Sequence, residues 1–252
     1  MIGQPPVPAG FPECRRCPFL QAGPAAVCLA CARRQLDPVG QAACPVCSQR
    51  LAASGRCPNE LCRGPRRIGR IHAIAYQSGA LRRVIGRYKY HGGRSWSVIF
   101  GRLLLGWLDE AMREDPADLI VANPSFAGPG GQRFAHTEAV VEAAAQAAGA
   151  RPEVMPRWQL DTATPRAIVK TRPTLKSADA QAWSKHASAS DLRGALAVPD
   201  PARTSGRFIV VYDDICTTGS QLDAVAGCLL DQGGAARVEA IVLARAPWRG
   251  PR

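Results

Sequence analysis

One segment constrains the fold more than any other: "RFIVVYDDICTTGSQLDAVAGCLLDQGG", residues 207–234. An apolar strand runs into two adjacent aspartates. A loop of small and hydroxylated residues follows, then a helix that a glycine pair stops. The rest of the C-terminal part repeats this alternation. "RIHAIAYQSG" reads as a strand ending at a turn. "ALRRVIGRYKYHGG" places Leu81, Val84, Ile85 and Tyr88 at helical spacing, and "SWSVIFGRLLLGWLDEAMRED" continues the helical pattern. "DLIVA" is a short strand, "NPSFAGPGGQRF" a loop, "HTEAVVEAAAQAAG" a helix and "RVEAIVLAR" a final strand. Strands alternating with helices predict a parallel sheet covered on both faces. Such sheets bind ligands at the carboxyl ends of their strands. Asp213 and Asp214 arrive at that edge.

The loop they open has two chemical halves. Thr217, Thr218 and Ser220 bring hydroxyl donors, Gly219 permits close approach, and a helix N-terminus follows. That half suits a phosphate. The two carboxylates suit hydroxyls, or a Mg²⁺ held by a sugar phosphate. A ribose 5-phosphate satisfies both halves. No GxxxxGK[ST] motif occurs, and no GxGxxG follows a strand.

Eight of the ten cysteines lie before residue 63, in four close pairs: Cys14/Cys17, Cys28/Cys31, Cys44/Cys47 and Cys57/Cys62. Three pairs are CxxC turns, which aim two thiolates at one metal; two pairs complete a tetrahedral four-cysteine zinc site. Four pairs predict two structural Zn²⁺ sites. The segment is too short for much core of its own, so metal is expected to supply most of its folding energy, about 10 kcal/mol per site. Sequential pairing would join 14/17 with 28/31 and 44/47 with 57/62. Cross-braced pairing would join 14/17 with 44/47. Sequential pairing closes shorter loops and is the expected arrangement. Cys228 falls in an apolar helix and reads as a buried small residue. Cys216 falls in the aspartate loop with no base beside it in sequence.

Charge is also uneven along the chain. Residues 1–100 carry 15 Lys/Arg against 3 Asp/Glu, and residues 101–252 carry 17 of each. The whole excess of +12 therefore sits in the first part. A basic half is the footprint of a nucleic acid or another polyanion. No run of about 18 apolar residues predicts a membrane span. The start has neither a basic nor an apolar leader region, so a cytoplasmic protein is expected. Residues 156–206 show little periodicity and are expected to form a flexible flap. Lys170, Arg172 and Lys176 on it are candidates to close over an anion. His136 is a candidate acid/base at a helix start.

"VVYDDICTTGSQL" resembles the phosphoribosyl pyrophosphate (PRPP) loop of type I phosphoribosyltransferases. A cysteine-rich start, then "AIAYQSGALRRVIGRYKYHGG", this loop and a closing "VLAR" together resemble the ComF family of competence-associated, phosphoribosyltransferase-like proteins, over nearly the whole chain. The resemblance implies an α/β, type I phosphoribosyltransferase-like domain over residues 69–252. It implies a double zinc module over 1–68. Asp213 and Asp214 would be the catalytic carboxylates that hold the ribose hydroxyls, with Mg²⁺. Thr217, Thr218, Gly219 and Ser220 would bind the 5′-phosphate. Lys89 would approach the pyrophosphate, and Asn123 to Ser125 would form its loop. The sequence departs from the family on the other side of the site. "VANP" stands for Val-Pro-Val-Pro, "GPGGQRFAHTE" for an Arg-rich stretch ending Arg-Gly-Phe-Asn-Gln, and "ATPRAIVKTRP" for Thr-Pro-x-Gln.

Two functions follow as expectations. One is transfer of the phosphoribosyl group from PRPP to a nitrogen acceptor, by orientation and electrostatic stabilisation of the leaving group. The other is a non-catalytic DNA-uptake factor whose basic half contacts single-stranded DNA or a DNA-processing protein.

Overall fold

The computed structural model describes residues 36–91, 93–126, 128, 134–149, 158–174 and 190–248. Cys14, Cys17, Cys28 and Cys31, hence the first expected metal site, lie outside the described residues, as does Lys176.

Five strands form the main sheet: β1 (Ile71–Tyr76), β2 (Leu119–Ala122), β3 (Gln159–Leu160), β6 (Phe208–Cys216) and β7 (Arg237–Arg245). Their order is β1-β7-β6-β2-β3, and every pairing is parallel. The helices are α1 (Gly79–Tyr90), α2 (Trp96–Ala111), α3 (His136–Gly149) and α4 (Ser220–Asp231). β4 (Val169–Lys170) and β5 (Leu196–Ala197) form a separate antiparallel pair.

Side chains on a strand alternate between faces, and the core splits accordingly. Ile120, Ala122, Val210, Tyr212, Ile241 and Leu243 face a cluster filled by α1, α2 and α3. Leu119, Val121, Ile209, Val211, Ala240 and Val242 face a second cluster filled by α4 and by Cys44 and Cys47. On α1, the predicted stripe Leu81, Val84, Ile85 and Tyr88 is buried against the sheet, while Arg82, Arg83 and Arg87 are exposed. α2 and α3 cross closely at Gly101, where a Cβ would stand 2.7 Å from the Ala144 nitrogen. No helix among the described residues is long and apolar enough to cross a membrane.

The structure refines two expectations. The segment 156–206 is not all flap: Gln159 and Leu160 extend the sheet as its edge strand, pairing with Leu119 and Ile120. Asp161, next in the chain, is 4% exposed and ion-paired to Arg203 at 2.6 Å, which ties that segment down. Cys216 is the last residue of β6 rather than a loop residue, opposite Arg245 in the ladder and buried.

β2 and β6 are neighbours whose chains leave in opposite senses. After β2 the chain enters α3 on one face; after β6 it enters α4 on the other. This is a topological switch point, and a crevice opens beyond the carboxyl ends of the two strands.

Candidate functional site

A cavity of about 360 Å³ occupies that crevice. Its floor is Asp213, Asp214 and Ile215 from the end of β6. The turn after β2, from Asn123 to Phe126, and His136 and Thr137 of α3 form one wall. Lys89 of α1, Gln221 of α4 and Lys170 complete it. The predicted Lys89, Asn123 to Ser125, His136, Lys170, Asp213 and Asp214 thus converge from elements far apart in sequence.

The two aspartates are nearly closed off from water, 8% and 3% exposed. Lys89 Nζ sits 3.0 Å from Asp214 Oδ1 and 2.8 Å from Oδ2. The Asp214 N–H donates to Asp213 Oδ1 at 2.9 Å. Burial first, and the Asp214 charge next, push Asp213 up to about 7; Lys89, the Asp214 N–H and Asn123 work against that shift. Burial works to lower Lys89, but the Asp214 and Asp213 carboxylates outweigh it and hold the amine above its ordinary value. Lys89 is therefore a partner of the aspartates and not a free cation facing the cavity. His136 donates through Nε2 to the Lys89 carbonyl at 3.1 Å, and its own carbonyl accepts from the Tyr88 hydroxyl at 2.5 Å. It positions the end of α1.

The predicted loop, Thr217 to Ser220, does not line this cavity, although its chain neighbours Ile215 and Gln221 do. Its carbonyls are anchored inward. Arg245 Nη1 donates to the Cys216 carbonyl at 2.7 Å and also to that of Thr217. Asn59 Nδ2 donates to the Thr218 carbonyl at 2.9 Å. In a trans peptide the N–H points away from the carbonyl, so this anchoring turns the N–H groups of Thr217, Thr218 and Gly219 outward. Gly219 has φ +88° and caps α4. A Cβ there would meet Leu61 Cδ2 at 2.7 Å and Ile71 Cδ1 at 2.8 Å, so only glycine lets the loop seat against the cysteine-rich segment. Outward N–H groups, hydroxyls and a helix N-terminus are groups suited to an anion.

Behind the loop, Cys44, Cys47, Cys57 and Cys62 bring four sulfurs within 4.8 Å of one another. The Cys44–Cys62 and Cys47–Cys57 sulfurs are 3.8 and 3.7 Å apart. Zn–S bonds of about 2.3 Å in a tetrahedron place sulfurs about 3.8 Å apart, so the donor set fits one zinc ion. The pairing is the sequential one for these four. Burial first, and the Cys44 and Cys47 sulfurs against the help of the Asn59 backbone, push Cys57 up to about 11. Four thiolates therefore cannot coexist here without a cation. Cys47 is the exception: burial would raise it, but Asn59, Cys62 and the Arg245 guanidinium bring it down to about 7. The cluster also holds the sheet. The Ile71 N–H donates to the Val46 carbonyl at 2.7 Å, and the Ser48 hydroxyl donates to the Ile71 carbonyl at 2.8 Å.

No protein-family model matches this chain, and no curated protein does. The site therefore stands on its own geometry. Sequence reasoning overlooked Arg245 and Asn59 as loop anchors. A charged residue ending the apolar run "RVEAIVLAR", and an asparagine between the last cysteines, were the available signals. It also overlooked Glu138, which bonds the turn after β2.

Proposed function

We propose that this chain binds a 5-phosphoribosyl group, as ribose 5-phosphate or PRPP with Mg²⁺, and belongs with the ComF-like phosphoribosyltransferase-type proteins. The observation that carries the reading is the pairing of Asp213 and Asp214 at the end of β6 with a loop whose carbonyls are anchored inward. The carboxylates accept from the ribose hydroxyls, and the loop N–H groups and the hydroxyls of Thr217, Thr218 and Ser220 receive the 5′-phosphate. Mg²⁺ would be held by Asp213 and Asp214 together with the ligand and would offset their negative charge. In transfer, the C1–O bond to pyrophosphate breaks, a bond from C1 to a nitrogen acceptor forms, and the proton on nitrogen passes to solvent. The chain's part is to orient the ribose and exclude water.

The test is calorimetric titration of ribose 5-phosphate and of PRPP with Mg²⁺ into the wild type and into Asp213→Asn/Asp214→Asn. Saturable binding that the double variant loses supports the reading. Absence of binding to folded, zinc-loaded wild type removes it.

A second reading has one observation in its favour. The outward face of α1 carries exposed Arg82, Arg83 and Arg87, and the helix ends at Tyr90, which is 76% exposed. Cations with an exposed aromatic suit a single strand of nucleic acid. Affinity for single-stranded DNA that falls steeply with salt supports it, and a flat response removes it.

A further inference from the structure

Asp213 and Asp214 put two carboxylates side by side on the cavity floor, where little water reaches them. Adjacent buried anions are costly without a cation. Lys89, in the last turn of α1, supplies one: its Nζ lies 3.0 and 2.8 Å from the two Asp214 oxygens. Burial works against its charge, yet the two carboxylates together hold the amine above its ordinary value. Burial also pushes Asp213 up to about 7, so that this second acid sheds its charge readily near neutral pH. One lysine therefore leaves the floor with little net charge. Lys170 also lines the cavity, but it donates to the Thr174 hydroxyl at 2.6 Å, and the ion pair of Asp214 is made by Lys89.

Lys89 is held in place from behind. Its carbonyl accepts from His136, and the hydroxyl of the preceding Tyr88 donates to the His136 carbonyl. The buried Tyr88 ring meets Phe100 and His136 edge-on, with centroids 5.2 and 5.5 Å apart. The ammonium is thus preorganised over Asp214 before any ligand arrives.

We propose that Lys89 is the resident counter-cation of the site and lets ribose 5-phosphate bind without a divalent ion. The proposal rests on the phosphoribosyl reading of the site. A carboxylate oxygen has room for more than one donor, so Asp214 held by Lys89 still accepts from a ribose hydroxyl. The pyrophosphate of PRPP brings further negative charge, for which Mg²⁺ is still needed, so ribose 5-phosphate is the probe.

The experiment titrates ribose 5-phosphate by calorimetry into zinc-loaded protein at one pH, in magnesium-free buffer without chelator and in excess Mg²⁺. It is run on the wild type, on Lys89→Gln, which keeps a donor and loses the charge, and on Lys89→Arg, which keeps the charge. Wild-type affinity is expected to agree between the two buffers within about threefold. Lys89→Gln is expected to bind about tenfold or more weakly without Mg²⁺ and to recover most of that loss with it. Lys89→Arg should keep the wild-type ratio between the two buffers, whatever its absolute affinity. Wild type that loses more than about threefold without Mg²⁺ overturns the proposal. So does a folded Lys89→Gln with the wild-type ratio, since damage to the fold alone would lower affinity equally in both buffers. If Lys89→Gln does not fold, the wild type and Lys89→Arg decide. Wild type that binds in neither buffer removes the phosphoribosyl reading itself, and the proposal with it.

Discussion

Arg245 Nη2 lies 3.8 Å from Cys47 Sγ, while Nη1 of the same guanidinium donates to the Cys216 carbonyl at 2.7 Å. Arg245 is 0% exposed. One buried cation therefore touches both the cysteine cluster and the loop after β6. A buried charge is stable only with partners. Four thiolates around a divalent ion carry net negative charge and complement it. The cysteine cluster is thus part of what holds the candidate ligand loop, and not a separate ornament on the chain.

Arg245→Met keeps most of the side-chain volume and removes the carbonyl anchors. It is expected to destabilise the protein by about 2 kcal/mol through the unsatisfied carbonyls. It should also weaken ribose 5-phosphate binding by about tenfold, because the loop N–H groups are no longer held outward. Urea unfolding and calorimetry measure the two effects. Unchanged affinity would show that the loop keeps its shape without the arginine.

Lys89→Met leaves Asp214 with its carboxylate buried and its cation gone, since its side chain is 5% exposed. Breaking such a pair from one side costs about 3 kcal/mol at neutral pH. Urea unfolding of the two proteins tests this, and a variant as stable as the wild type would contradict it.

Asp213 is raised to about 7 from an ordinary 3.8. Its folded form thus holds a proton that the unfolded form releases. The stability it contributes is complete below the unfolded value and is lost as pH rises through about 7. Ligand binding runs the other way, because a carboxylate is needed for Mg²⁺ or for accepting ribose hydroxyls. Affinity for ribose 5-phosphate with Mg²⁺ should therefore rise between pH 6 and pH 8. Part of that rise belongs to the phosphate, with its second ionisation near 6. The part that Asp213→Asn removes belongs to this residue, and identical profiles would refute the assignment.

Gly219→Ala adds a Cβ at φ +88°, within 2.8 Å of Leu61 and Ile71 side-chain carbons. Backbone strain and overlap are expected to cost about 2 kcal/mol. The loop should lift from the cysteine segment, so ribose 5-phosphate affinity falls as well. Thermal melting and calorimetry on the same sample distinguish a moved loop from a merely tolerated methyl.

Metal removal at Cys44, Cys47, Cys57 and Cys62 should be felt by the whole sheet, because Cys44 and Cys47 share an apolar cluster with Ile71, Val242 and Leu222. Cys47→Ser is expected to lower bound zinc by one ion per chain in elemental analysis. Calorimetric melting should shift down as a single transition. A separate low-temperature transition with the main one unmoved would show that the cluster folds apart from the sheet.

Local chemistry made much of this legible. The strand carrying Asp213 and Asp214, the helix starting at Ser220 and the amphipathic stripe on α1 could be read because their signals lie within one turn or one strand. Spacing and loop closure favoured joining Cys44/Cys47 with Cys57/Cys62 over the cross-braced alternative, and the structure brings those four sulfurs together. β3, β4 and β5 were not legible, since two-residue strands carry no periodicity and exist only through their neighbours. Nor were the contacts that define the site. Lys89 and Asp214 are 125 residues apart, Asn59 and Thr218 159, and Arg245 and Cys47 198. The sequence by itself determined which chemical groups stand at strand ends and which cysteines form close pairs, because those depend on neighbours along the chain. Only the tertiary structure decided which charge meets which, because the parallel sheet brings together residues whose separation in sequence leaves no local trace.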